Sequence, residues 1–330
     1  MSSLFLGAAA RDVLARYPVA SHAAPAPLGN CGGFSGARLW RVRTQAGDLC
    51  LRAWPPSNPS PERLLSIQHL MKTARDAGLD VVPTVHTTHA GRTWTERAGR
   101  LWELTTWMPG CADFHDHPRP ARLEAACTAL AQLHLAWSAG ISPSGPCPGV
   151  LRRLEKVRRW STLLQSGWRP RFHEAERDPV TSWAERAWHC LGPRVTDVPH
   201  RLAPWLTRPV PLQPCLCDIW HDHVLFTGDR VTGLVDFGAI KLDHVAVDLA
   251  RLLGSLIGDD AQQRSAGIQA YRRVKPLSAD EEALVGVLDE TGTVLAAANW
   301  LMWLYRDEKT FEDRAAVARR LAELVARIER

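Results

Sequence analysis

At Pro109-Gly110 the hydrophobic pattern of this chain changes character, and no other feature constrains its architecture as tightly. From Gly32 to about Met108 apolar residues alternate as they do in strands, with one helix inserted; beyond Gly110 they recur at helical spacing over long stretches. The pattern predicts two lobes. Residues 1–107 would form a small antiparallel sheet carrying one helix, with 1–28 as a leading helix or extension, and 108–330 a larger, mainly helical lobe. A length of 330 residues with 45% apolar content supplies enough core for two such units.

Local signals place the elements. Phe34 to Val42 and Leu49 to Trp54 flank a Thr44-Gln45-Ala46-Gly47 turn and read as a hairpin. Ser60 is a good N-cap, Pro61 suits the first helical position, and Leu64, Ile67, Met71 and Ala74 keep helical spacing until Gly78. Val81 to His89, Arg92 to Glu96 and Arg100 to Trp107 read as three further strands. In the second lobe Leu123, Cys127, Leu130, His134 and Trp137 share a face, with Gly140 as the expected stop and His134 as a hydrogen-bonded core residue. Leu154, Val157, Trp160 and Leu164 stripe the next helix, whose cluster of Arg152, Arg153, Lys156, Arg158 and Arg159 reads as a solvated face rather than a polyanion site. Helices are also expected over 281–303 and 313–330, the last striped by Val317, Leu321, Leu324 and Ile328.

Charge and cysteine content narrow the class. A net charge of +5 without dense basic tracts suits an anionic small ligand and argues against a dedicated nucleic-acid binder. Eight scattered cysteines match neither a zinc ribbon nor a disulfide scaffold, so free thiols in a reducing compartment are expected. Leu4-Phe5-Leu6 lacks the preceding basic residues of an export signal, and Leu6, Val13 and Leu14 suit an amphipathic first helix instead. No apolar window is long enough to span a bilayer, so the chain reads as cytoplasmic, with no membrane partner.

The chemistry concentrates in residues 215–238. Val224 to Phe226 and Val231 to Val235 are joined by Thr227-Gly228-Asp229, a tight hairpin that returns the chain to its start. His223 at its entry and Asp236 at its exit therefore come together, with Asp218 in the loop just ahead. A carboxylate five residues before one ligand and eighteen before another suits phosphoryl transfer: one group orients the attacking hydroxyl, and two hold a divalent ion on the nucleotide's phosphates.

On these residues the sequence resembles the aminoglycoside phosphotransferase and choline kinase-like family, over nearly its whole length. The resemblance implies an α+β, protein-kinase-like two-lobe fold. It implies that Asp218 is the catalytic aspartate, that Asp236 in Asp236-Phe237-Gly238 binds metal, and that Asp248 in Val247-Asp248-Leu249-Ala250 braces the catalytic loop. It also implies a phosphate-covering loop at Gly32, Gly33, Phe34, Ser35 and Gly36, a phosphate contact from Arg52, and an adenine-facing hinge at Thr106, Trp107 and Met108. Three positions depart from the family pattern: Leu216-Cys217 replace histidine and glycine, His223 replaces a metal-binding asparagine, and Arg52 replaces a lysine. No helical glutamate stands where that lysine's usual partner belongs, although Gln68 lies near the place. Imidazole suits manganese better than magnesium, and guanidinium is not geometrically equivalent to ammonium.

The expected activity is transfer of the γ-phosphate of ATP or GTP, with Mg2+ or Mn2+, to the hydroxyl of a small molecule. Two other readings remain open at this level. One is a nucleotide-binding regulator that has lost chemistry, suggested by the three departures; the other is a metal-dependent hydrolase built from His221, His223, Asp236 and His244. Arg52 is also readable as an exposed strand residue, and the glycine run as a plain hairpin feature. Trp220, the aromatic run Trp300 to Tyr305, and the acids Asp307 and Glu308 offer rings and charge for an acceptor without naming one.

Overall fold

A computed structural model describes residues 3–20, 22–29, 36–56, 58–138, 143–172, 178–311 and 313–330. Of the residues singled out above, Gly32, Gly33, Phe34, Ser35 and Gly140 lie outside them. In chain order the first elements are α1 (Ser3–Leu14), β1 (Pro25–Pro27), β2 (Arg38–Thr44), β3 (Gly47–Ala53), α2 (Pro61–Asp76), β4 (Trp94–Arg97), β5 (Arg100–Thr106) and α3 (Pro120–Trp137). Next come β6 (Ser144–Pro146), α4 (Pro148–Gln165), α5 (Pro179–Leu202), β7 (Pro209–Pro211), β8 (Gln213–Cys215), β9 (Val224–Thr227) and β10 (Arg230–Leu234). The chain ends with β11 (Lys241–Asp243), α6 (Ala246–Ile257), α7 (Ala261–Arg272), α8 (Ala279–Tyr305) and α9 (Arg314–Ile328). The elements form two compact units, one of residues 1–137 with 221–240, the other of 138–220 with 241–330.

The first unit is built on an antiparallel sheet of order β1-β2-β3-β5-β4. Alternation along β3 sends Leu49, Leu51 and Ala53 into the core and leaves Cys50 and Arg52 on the other face. Leu6, Val13, Leu14 and Tyr17 close that core with Trp40, Trp102 and Leu104, so the leading segment is the amphipathic helix its pattern predicts. Helix α2 starts as its sequence dictates: the Ser60 hydroxyl accepts the Arg63 amide, Pro61 opens the helix, and Gly78 leaves it at φ +85°.

Val81 to His89 is not a strand. Pro83 has no amide to give a ladder, and the segment's pairing with β5 reduces to a bridge between Val85 and Thr105 and a few bonds around Thr84 and His86. The fifth strand is instead β1, whose Pro25 and Pro27 sit on the outer edge beside β2, where missing donors cost least.

The second unit is mainly helical. Val180, Ala184, Ala187, Leu191, Val195, Val198 and Leu202 line the buried side of α5, which packs on α8 and α9 despite Pro193 and Pro199 in its interior. Val317, Leu321, Leu324 and Ile328 are buried on α9, as their spacing predicts. On α4, Val157 and Trp160 are buried with Leu163, while Leu154 and Leu164 are half-buried. The seven described cysteines carry no disulfide, and no described helix is long and apolar enough to cross a membrane.

Candidate active site

In the first unit β9 and β10 form the hairpin, with a bulge between Val231 and Gly233. The Val235 amide donates to the His223 carbonyl at 3.0 Å, which sets Asp236 beside His223. Asp236 then enters the left-handed region, φ 63° and ψ 70°, an uncommon state for a residue with a side chain. The next residue anchors that turn: Phe237 is buried, its ring edge-on to Trp137 at 6.3 Å. Gly238 has no room for more, since a Cβ there would lie 3.0 Å from the Trp54 ring and 3.4 Å from Asp236 Oδ1.

The two Asp236 oxygens have different neighbours. Arg52 Nη1 donates to Oδ1 at 3.0 Å, and His223 Nε2 stands 3.8 Å from Oδ2. The latter separation is too long for a hydrogen bond. It fits two ligands of one cation, each roughly 2.0–2.2 Å from the ion and so up to about 4 Å apart. Burial pushes the Asp236 carboxyl up, but Arg52 and then His223 outweigh it and hold the group below its ordinary range. Arg52 stacks 4.6 Å over the Trp54 ring. Burial lowers its guanidinium pKa, but Asp236 and Glu103 hold it net above the ordinary value.

Glu103 is the site residue that sequence reasoning missed. It is the cross-strand partner of Arg52 on β5, buried, and accepts from Gln68 Nε2 at 2.8 Å. Its signal was a lone acid in the apolar run Leu101-Trp102-Glu103-Leu104. Gln68 thus reaches Glu103, and the acid bonded to Arg52 comes from the hairpin, not from α2. Arg52 is a half-buried strand residue, so its reading as an exposed one falls away.

Around the hinge residues, Thr106 Oγ1 accepts the Thr84 amide at 2.7 Å, and the Trp107 amide donates to the Asp48 carbonyl. Met108 is buried against Gly233, where a Cβ would lie 2.7 Å from the Met108 Cβ. Gly36, at φ +79°, accepts from Arg100 Nη1.

In the second unit Asp218 follows β8. The Leu216 and Cys217 amides donate to the two oxygens of the fully buried Asp248, both at 2.6 Å, while Cys217 takes φ 62°. The clamp holds the backbone from which the Asp218 side chain emerges half-exposed, 2.5 Å from Arg251 Nη2, one turn beyond Asp248 on α6. Of the four residues of the hydrolase reading, only His223 and Asp236 form a pair. His221 to His223 is a 3-10 turn rather than a strand, so their side chains do not alternate as a chelating strand pair; His221 lies against His115. His244 is buried in the second unit with Glu281 at 2.8 Å.

Residues 30–284 match the sequence profile of the phosphotransferase enzyme family. The chain belongs to that family. This phosphotransferase is 28% identical over 242 residues to a homoserine kinase of Beijerinckia indica, covering 71% of the present chain and 68% of the relative. It resembles spectinomycin phosphotransferase, solved with ADP and spectinomycin, at TM-score 0.63 and 11% identity over 90% of both chains. It also resembles a microcompartment-associated aminopropanol kinase at TM-score 0.62 and 18% identity, over 97% and 96% of the two chains. The fold is the α+β, protein-kinase-like one. The phosphotransferase is a small-molecule kinase, and the comparisons favour neither the regulator nor the hydrolase.

Proposed function

We propose that this small-molecule kinase transfers the γ-phosphoryl group of ATP or GTP to a hydroxyl acceptor oriented by Asp218. The observation that carries the residue assignment is the pairing of Arg52 with Asp236 while the second oxygen of Asp236 faces His223. Arg52 would contact the nucleotide's phosphates, and Gly32 to Gly36 would cover them. The lobe of residues 1–107 would hold the nucleotide against a hinge of Thr106, Trp107 and Met108 at the boundary, and 108–330 would hold the acceptor. His223 and Asp236 would hold a divalent ion, Mg2+ or Mn2+, which neutralises phosphate charge when bound. Asp248 keeps the loop before Asp218 in place through two backbone amides. Asp218 takes the acceptor's proton as the O–P bond forms, and the nucleoside diphosphate leaves. The homoserine kinase relative makes homoserine the first acceptor to try.

Acceptor-stimulated ADP release, measured over a panel of alcohols, amino alcohols, sugars and homoserine, tests this reading. Asp218→Ala should lower turnover by about 10²–10⁴-fold and leave nucleotide affinity within a fewfold. Equal turnover in that variant removes Asp218 from the mechanism. Nucleotide binding without turnover under magnesium and manganese, for every acceptor, overturns the transferase reading.

A further inference from the structure

The basic cluster on α4 is not a uniformly solvated face. Arg158 and Arg159 are exposed and pair with Glu155, as surface residues do. Arg152 instead forms an ion pair with the buried Asp243 of β11, which also accepts the Gly149 and His244 amides. Arg153 donates to the Gly149 and Leu288 carbonyls, both at 3.0 Å, and burial lowers its guanidinium to about 10.

Three relationships bring this cluster to Asp218. Lys241 is the cross-strand partner of Cys215, three residues before Asp218. It shares a face of β11 with Asp243, which Arg152 holds, and Lys156 is one helical turn beyond Arg152. Arg251, paired with Asp218, lies within electrostatic reach of Lys156, as do Arg152, Arg153 and Lys241. Surrounding protein and then these cations lower the Lys156 ammonium. The nearby acids are already matched: Asp243 by Arg152, Asp248 by two amides, Asp218 by Arg251. Among the described residues Lys156 and Lys241 have no ion pair.

We infer that the acceptor carries an anionic group, a carboxylate or a phosphate, bound by Lys156, Lys241 and Arg251 beside Asp218. The inference rests on the acceptor-orienting role given to Asp218 above. Clustered cations raise one another's energy, and a bound anion relieves that repulsion, whereas a polyamine acceptor meets it. Arg251 joins the anion by exchanging the Asp218 carboxylate for the acceptor's carboxylate or phosphate, which turns Asp218 toward the hydroxyl.

Isothermal titration with glycerate, glycerol 3-phosphate, glycerol and 3-amino-1-propanol, with a non-hydrolysable ATP analogue present, tests the inference without requiring turnover. At least one acid should bind ten times more tightly than glycerol, and 3-amino-1-propanol should bind no better than glycerol. The double variant Lys156→Gln, Lys241→Gln, checked for an unchanged melting temperature, should lose about tenfold or more of the acid's affinity. Lys156→Arg, which keeps the charge, should restore most of the loss when introduced beside Lys241→Gln. Tighter binding of glycerate assigns a carboxylate, and tighter binding of glycerol 3-phosphate a phosphate. Failure of both acids to bind, preference for the amine, or equal acid affinity in the folded double variant overturns the inference. Acid binding without ADP release from any acceptor retains the anion site and rejects the transferase reading alone.

Discussion

Arg52 and Asp236, 184 residues apart in sequence, are joined by a 3.0 Å hydrogen bond between guanidinium and carboxylate. The cross-strand neighbour Glu103 leaves Arg52 as the cation between two acids. Arg52→Gln keeps most of the volume but removes the charge. It should lower unfolding free energy by about 2 kcal/mol at pH 7, less than for a fully buried pair because Asp236 is partly exposed. The sign with pH follows from the lowered Asp236 pKa: the pair's stabilisation is present above the unfolded carboxylate range and is lost as pH falls through the folded value. Urea unfolding of both proteins between pH 7 and pH 3 should show the difference shrinking; an unchanged gap at low pH would contradict the linkage.

The imidazole of His223 beside Asp236 Oδ2 bears on metal choice. His223→Asn replaces a nitrogen donor with a carbonyl oxygen, which a hard ion prefers. The ratio of magnesium-supported to manganese-supported turnover should rise by about fivefold or more relative to the parent. An identical ratio would take His223 out of the metal's coordination.

Gly110 is confined by its neighbours. Its φ is +97°, and a Cβ would approach the Phe226 carbonyl oxygen at 2.6 Å and Thr232 Oγ1 at 2.4 Å. The Cys111 amide meanwhile donates to the same Phe226 carbonyl. Gly110→Ala should therefore cost about 2–3 kcal/mol, combining left-handed backbone strain with displacement of the hairpin. A melting temperature within a degree of the parent's would show that the turn gives way freely.

His244 and Glu281 form a pair coupled to the start of α8. His244 pulls the Glu281 carboxyl down, against burial, to about 2, and Glu281 completes a capping box with Ser278. A lowered carboxylate pKa stabilises the fold at pH above the ordinary value and ceases to as pH drops toward 2. Glu281→Ala should cost on the order of 1 kcal/mol at pH 7, allowing for solvent screening, and the cost should fade between about pH 4.5 and pH 2. Guanidinium denaturation at several pH values checks both size and direction.

Much of the local structure was written in local chemistry. Ser60 and Pro61 opened α2, Gly47 and Gly228 closed their turns, and the stripe Val317, Leu321, Leu324 and Ile328 marked α9, because caps, turns and amphipathic faces depend on residues a few positions apart. Helix α5 was hidden because Pro193 and Pro199 signal breaks, and only packing of its apolar side against α8 and α9 overrides them. Val81 to His89 misled for the opposite reason: strand-like residues lost their ladder to Pro83.

The same division runs through the site. By itself the sequence determined that His223 and Asp236 meet, since a hairpin returns its ends to one place whatever surrounds it. Only the tertiary structure decided that Asp236 is held by Arg52, that Glu103 stands opposite, and that Arg251 pairs with Asp218, whereas the resemblance already implied the Asp248 brace that two amides make. The physical reason is distance along the chain: charge pairing in a folded protein depends on spatial separation and burial, and neither is encoded in the spacing of residues that approach from different strands and helices.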